Sequence, residues 1–230
     1  FSRLMYGKRI ETLCSLLTAA EIFADVGCDH GYCTEYMLKS GLCKKAVFSD
    51  ISRGSLKKAE TLLAPYIAEG RARAVLGDGL CGVPDTADEV LIAGMGGREI
   101  IGILSDKRYG FLPSAFVLQP MHDAEKLRRY LLSSGAYLER DFTFRDGKFY
   151  DVIRGRRLRA GEEAQRYTDA QFRFGRENLS KRPQAFLERT EKQLKEIDAY
   201  LSESGLQEAS RRALEERKAR LVEVLSGEAE

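Results

Sequence analysis

The stretch Ile22-Phe-Ala-Asp-Val-Gly-Cys-Asp-His-Gly-Tyr32 decides the fold. A short apolar run ends in an acid, a glycine turn follows, and an amphipathic segment begins, so the stretch reads as strand, loop and helix start. Such a turn makes a backbone pocket for a nucleotide-bearing cofactor. Working outward, Ala46–Asp50, Ala72–Leu76, Glu89–Ala93 and Ala115–Gln119 repeat the pattern of an apolar run closed by a polar or glycine-rich turn. Tyr32–Ser40, Ser55–Tyr66, Arg98–Leu104 and Asp123–Ser133 between them carry helical spacing, with Gly41 and Gly135 where helices stop. Strands alternating with helices predict an α/β doubly wound, Rossmann-like parallel sheet. Tyr137–Phe144 and Lys148–Arg154 then alternate apolar and polar residues around Asp146-Gly147, which predicts a type I′ hairpin closing the sheet.

The pattern changes near residue 159. Leu187, Thr190, Leu194, Ile197 and Leu201, and after a Ser-Glu-Ser-Gly turn Leu206, Leu214, Leu221 and Val224, describe two antiparallel helices. The expected organisation is residues 1–158 as the α/β domain and 159–230 as a helical coiled-coil arm. The arm holds 14 basic and 15 acidic residues against 23 and 20 in the remainder, so it is mixed in charge. It reads equally as a self-packing arm or as a guide for a substrate.

Composition narrows the function. The 230 residues are 43% apolar and 31% charged, enough for one substantial core, and the net charge of +2 excludes a general polycation. Apolar runs such as Val90–Met95 fall far short of the roughly 20 residues that span a bilayer, and no signal peptide is readable, so a cytoplasmic protein without a membrane partner is expected. Cys14, Cys28, Cys33, Cys43 and Cys81 form no Cys-x-x-Cys pair and read as free thiols. His30 and His122 are far apart in sequence, so no metal site is expected. His30 reads as a turn histidine bonded to backbone or to a cofactor carboxylate.

The strand ends carry the chemistry. Asp25, Gly27, Asp29, His30 and Gly31 form the first turn, and Asp29 stands where a dinucleotide fingerprint has its middle glycine. A carboxylate there repels a pyrophosphate and attracts the sulfonium and ammonium of S-adenosylmethionine. Asp50, with Ile51 beside it, lies where a carboxylate meets an adenosine ribose diol. Asp78 and Gly79 end the third strand, where a short acid between glycines can accept from an adenine amine. The fourth strand ends in Ala93-Gly94-Met95-Gly96-Gly97, in place of the polar-Pro-Pro-aromatic turn common in amino-methylating enzymes. Met95 there can contact a flat base or the cofactor sulfur. The cofactor set is therefore Asp25, Gly27, Asp29, His30, Gly31, Asp50, Ile51, Asp78, Gly79, Ala93 and Gly94, and the catalytic set is Asp29, Gly94 and Met95. Lys8 and Arg9, together with Arg154, Arg156 and Arg157 beside Arg159, are the local basic groups that could meet RNA phosphate.

Several segments together resemble the bacterial tRNA (adenine(22)-N1)-methyltransferase family, TrmK. They are Asp25-Val-Gly-Cys-Asp-His-Gly-Tyr32, Gly77-Asp-Gly-Leu80, Ala93-Gly-Met-Gly-Gly97 with Ile100-Ile-Gly-Ile-Leu104, Gln119-Pro120 and Phe149-Tyr-Asp-Val-Ile153. Arg9-Ile10, Phe174-Gly175 and Lys181-Arg-Pro183 extend the likeness over nearly the whole chain; Gly7, Cys33-Thr34 and Ser55 depart from the family's usual residues at helix starts. The resemblance implies a tRNA substrate methylated at N1 of adenine 22, with S-adenosylmethionine as donor. Asp29 and the carbonyls of Ala93 and Gly94 would then stabilise the cationic product, and Tyr32 could stack on the flipped base. The oligomeric state is not readable, with a monomer the simplest expectation. Two other classes fit the residues: a small-molecule methyltransferase, and a non-catalytic coiled-coil interaction protein with a degenerate pocket.

Overall fold

A computed structural model describes residues 6–203 and 205–228. Seven strands form one sheet in the order β3-β2-β1-β4-β5-β7-β6. Strands β1 (Ala20–Val26), β2 (Cys43–Asp50), β3 (Ala72–Leu76), β4 (Glu89–Met95) and β5 (Ala115–Pro120) run parallel, and β6 (Ala136–Asp146) with β7 (Lys148–Arg157) adds an antiparallel pair. The five predicted parallel strands are all present. The order reverses at β1 and β4, whose carboxyl ends therefore diverge and open a crevice at the switch point.

Residues alternate between the two faces of the sheet. Phe23, Phe48, Leu91, Val117 and Val152 face one side and are covered by α1 (Lys8–Leu16), α2 (Tyr32–Lys39) and α3 (Arg53–Ala68). Ala24, Val47, Val90, Ile92, Phe116 and Leu118 face the other and meet α4 (Gly97–Leu104) and α5 (Ala124–Ser133). Helix α1 is not among the predicted elements, although Ile10, Leu13, Cys14 and Leu17 carry its spacing. The expected hairpin forms, but its turn is not type I′. Arg145 pairs with Phe149 across the tip, and Gly147 has φ +65° while Asp146 keeps a negative φ, so only one residue adopts the left-handed conformation.

Beyond residue 159 the chain first stays against the sheet. Helices α6 (Asp169–Phe174) and α7 (Arg176–Lys181) pack against α5 and β6, and the buried Asn178 accepts from the Thr143 backbone N–H at 2.8 Å. Arg128, 1% exposed, donates to both oxygens of the buried Asp141 and to the Phe172 carbonyl at 3.0 Å. These bonds weld residues 160–181 to the sheet. Helices α8 (Gln184–Ser202) and α9 (Glu208–Ser226) then pair antiparallel, with Arg182 donating to the Val224 and Leu225 carbonyls and Lys218 meeting Asp198 at 2.7 Å. The connection between them includes Ser204 of the expected turn, which lies outside the described residues. No helix among the described residues is long and apolar enough to cross a membrane.

Candidate active site

A cleft of about 360 Å³ lies at the carboxyl ends of β1, β2, β3 and β4. Its size falls in the ordinary small-molecule range of about 300–1,000 Å³. The structure brings to it Asp25, Gly27, Asp29, His30, Asp50, Ile51, Asp78, Gly79, Ala93, Gly94 and Met95, which the sequence had singled out. Gly31 sits just behind as the N-cap of α2, where an added Cβ would lie 3.0 Å from the Ala59 Cβ.

Each acid is held differently. Asp25 is 4% exposed and accepts from the Thr34 hydroxyl at 2.8 Å. Burial pushes its carboxyl up to about 6, partly offset by the Thr34 hydrogen bonds. Asp50 accepts from the Asp29 N–H at 3.2 Å and from the Ser52 N–H at 2.7 Å, one bond on each oxygen. That fixes the plane of the carboxylate and leaves further lone pairs for a ligand's hydroxyls. Asp29 has φ +47° and an exposed side chain, and Asp78 is also exposed on the opposite lip. Burial, and after it the charges of Asp25 and Asp50, push the Cys28 thiol strongly up, so it stays protonated.

The turn after β4 is built on a bulge. Ala93 pairs with Gln119 and Met95 with Pro120, so Gly94 is an extra residue, at φ +79°. Bulges re-aim the backbone beside binding sites, and here the bare Gly94 also admits Arg9, whose Nη2 would lie 2.9 Å from an added Cβ. Gly27 plays the matching part on β1: a Cβ there would meet the Met95 methyl at 2.3 Å, so only glycine lets the thioether close over the loop.

Arg9 is the residue whose place the sequence reading missed. The first turn of α1 carries it into the cleft, where Nε donates to Gln119 Oε1 at 3.0 Å and the guanidinium lies 5.6 Å from the Tyr150 ring centroid. Its backbone N–H donates to Asp146 at 2.8 Å, tying the hairpin tip to the cleft mouth. Periodicity over Ile10–Leu17 was the signal that could have placed it. Lys8, by contrast, stays exposed beside the mouth.

Three expectations are corrected. Tyr32 is not free to stack on a base, because its ring already stacks on Tyr6 at 4.6 Å and on His30 at 5.2 Å. His30 is held by that stacking, with Asp29 at 3.9 Å, and makes no bond to backbone among the described residues; the bond to a cofactor carboxylate stays an expectation. Arg154, Arg156 and Arg157 sit at the other end of the sheet from the cleft. Arg154 pairs with Glu89, the first residue of β4, at 2.5 Å and with Glu139, and its side chain is 11% exposed. Arg156 pairs with Glu139 at 3.0 Å and with Glu162 at 2.6 Å. Arg157 is exposed but donates to the Leu112 carbonyl. The charges of Arg154 and Arg156 are consumed in holding β7 to its neighbours, whereas Arg157 meets only a neutral carbonyl.

Comparison with known proteins agrees with this geometry. Residues 6–153 match the family model described as a methyltransferase domain. A Mycoplasma pneumoniae relative is 35% identical over 130 residues, 54% of this chain and 58% of the relative. The tRNA (adenine(22)-N(1))-methyltransferase of Bacillus subtilis is 29% identical over 157 residues, 66% of this chain and 65% of the relative. The chain thus spans less than two thirds of the length of the curated relatives it matches. The structure of M. capricolum TrmK in complex with S-adenosyl-homocysteine superposes with a TM-score of 0.84 at 18% identity, covering 97% of this chain and 99% of the other. With the family model matching well over half of its length, the chain belongs to the methyltransferase domain family.

Proposed function

We propose that the chain is an S-adenosylmethionine-dependent methyltransferase that modifies N1 of adenine 22 in tRNA. The observation that carries the reading is the charge of the cleft: among the described residues Asp25, Asp29, Asp50, Asp78 and Glu99 line it, against Arg9 and His30. That excess of carboxylates suits a ligand bearing a sulfonium and an ammonium and repels a pyrophosphate. The oriented Asp50 carboxylate would hold the ribose hydroxyls, Asp78 the adenine amine, and Asp25 with Asp29 the cationic end. Bound there, S-adenosylmethionine supplies a methyl group on a cationic sulfur, which leaves as a neutral thioether when the methyl is displaced.

Adenine N1 bears its own lone pair, so no proton needs to be removed before attack. The chain's task is alignment and exclusion of water. Ala93 and Gly94 line the cleft at the bulge, and their carbonyls with Asp29 would stabilise the positive charge that arrives on the base. N1 lies on the pairing edge, so the base must leave its stack to reach the cleft. The name of the Bacillus subtilis relative supports tRNA as the substrate.

Mass spectrometry of nucleosides from unmodified tRNA treated with the protein tests the assignment. N1-methyladenine at position 22 is the expected product. Methylation only at N6 or on another base would overturn the site assignment, and turnover of a small amine with no transfer to tRNA would favour a small-molecule enzyme. Calorimetric titration with S-adenosylmethionine and with NAD tests the donor independently, with binding of the first alone expected.

A further inference from the structure

A second concavity of about 440 Å³ lies between the β6–β7 hairpin tip and helix α8. Arg145, Lys148, Lys192 and Lys195 line it, with Phe149 at its base and Glu188 and Glu191 on the helix side. Residues 188, 191, 192 and 195 fall at i, i+3, i+4 and i+7, so they form one stripe of α8. That stripe differs from the one buried through Phe186, Thr190 and Ile197. Glu188 is neutralised by Arg145 at 2.9 Å, and Lys192 is only loosely paired with Glu196 at 3.9 Å. Lys148 and Lys195 make no ion pair among the described residues. These cations are therefore left over, unlike Arg154 and Arg156.

The hairpin tip links the groove to the cleft mouth. Asp146, one residue from the hairpin tip, accepts from the Arg9 backbone N–H at 2.8 Å, and exposed Lys8 begins the same helix. Arg145 also lies 5.3 Å from the Phe149 ring centroid, so the wall offers an aromatic face beside its guanidinium. A polyanionic strand entering the cleft past Lys8 would cross the hairpin tip and meet these groups next.

On the reading of the protein as a tRNA methyltransferase, we propose that the groove between the hairpin tip and α8 binds the phosphate backbone of the tRNA flanking the target adenine, through Lys148, Lys192 and Lys195. It is an electrostatic site and carries no sequence readout. The α8–α9 arm then contributes to substrate binding by one face near its base, where it meets the sheet. Glu191 works against it, which gives the proposal a prediction of opposite sign.

The test measures binding of unmodified tRNA to the full chain across a salt series. The triple variant Lys148→Ala, Lys192→Ala, Lys195→Ala should weaken binding by about 10- to 100-fold at physiological salt. It should also flatten the slope of log K against log salt by about 2 to 3. S-adenosylmethionine affinity and the melting temperature should not move, since all three side chains are exposed. Glu191→Gln should tighten tRNA binding by about two- to fivefold. An unchanged Kd and slope in the triple variant, while the unaltered chain binds and methylates tRNA, would overturn the groove alone. Absence of tRNA binding by the unaltered chain would overturn both this assignment and the tRNA reading. A Glu191→Gln variant that binds more weakly would also overturn the groove.

Discussion

The two ends of the same sheet handle charge in opposite ways. At the amino ends of the parallel strands, Glu89 is 1% exposed and is met by Arg154 and the Thr18 hydroxyl, while Arg156 bridges Glu139 and Glu162. At the carboxyl ends, Asp25, Asp29, Asp50 and Asp78 gather around one cleft in which Arg9, the one guanidinium among the described lining residues, is turned to Gln119 and Tyr150. Neutralised charge at one end holds strands together; leftover charge at the other is available to a ligand. Residue type therefore says less about function than whether a partner has already been found.

The largest effect that this contrast predicts is on stability. Arg154→Met strands Glu89 without its countercharge, and breaking a buried pair this way costs about 3–5 kcal/mol. Burial already raises the Glu89 carboxyl even with Arg154 beside it. The variant should unfold at clearly lower urea concentration, and Glu89→Gln in the same background should restore part of the loss. Affinity for S-adenosylmethionine, measured on the folded fraction, should stay within twofold. A variant of undiminished stability would show that the pair at this end is ornamental.

At the other end the expected loss is of binding. Asp50→Ala removes charge-assisted hydrogen bonds worth roughly 1.5 to 3 kcal/mol each, so S-adenosylmethionine should bind about tenfold to several-hundredfold more weakly. The two backbone donors that Asp50 satisfies, on Asp29 and Ser52, can turn to water because both residues are exposed. A melting temperature within a few degrees should accompany the loss. Unchanged affinity would remove Asp50 from the site.

Asp25 sharpens the comparison because it is buried and, among the described residues, bonded to Thr34 and to no cation. Its folded carboxyl titrates near 6 against 3.8 unfolded, so between these values the folded state binds more protons. Well below the unfolded value both states are protonated and nothing is lost; stability then falls as pH rises through the window, and the full cost stands once pH is well above the folded value. About two pKa units amount to about 3 kcal/mol, or somewhat less because an amide keeps only part of the bond from Thr34. Asp25→Asn should thus be more stable than the parent at pH 7.5 and no more stable at pH 3.5, while binding S-adenosylmethionine more weakly. Urea unfolding at several pH values checks this, and a difference that ignores pH would refute it.

Much of this was legible in the chain. The strand-end acids, the glycine turns and the alternation of β and α segments are local signals, and each landed at the cleft. The Gly94 bulge was legible only as a glycine-rich turn, because its purpose depends on Arg9, 85 positions earlier in the numbering. Residue 159 looked like a domain edge since the apolar pattern changes there, yet Asn178 and Arg128 hold α6 and α7 to the sheet through buried polar bonds that periodicity does not register. The arginines of β7 looked like a phosphate patch for a related reason. Of the partners of Arg154 and Arg156, Glu89 comes from β4, Glu139 from β6 and Glu162 from the segment after β7, and such pairing is a tertiary fact.

The smallest predicted effect is therefore a null one at those arginines. Arg156 spends its guanidinium on two carboxylates and lies with its side chain 14% exposed, stacked 4.5 Å from the Tyr137 ring centroid. Partly exposed pairs contribute roughly 0–1 kcal/mol to stability, so Arg156→Gln should lower the melting point by no more than a few degrees. A guanidinium already bonded to carboxylates releases no counterion when a polyanion docks elsewhere. The variant should accordingly bind tRNA within twofold of the parent, with the same dependence on salt. A drop of tenfold with a flattened slope would place RNA at the amino ends of the strands, and the distinction between spent and available charge would fail at the position where it is most exposed to test.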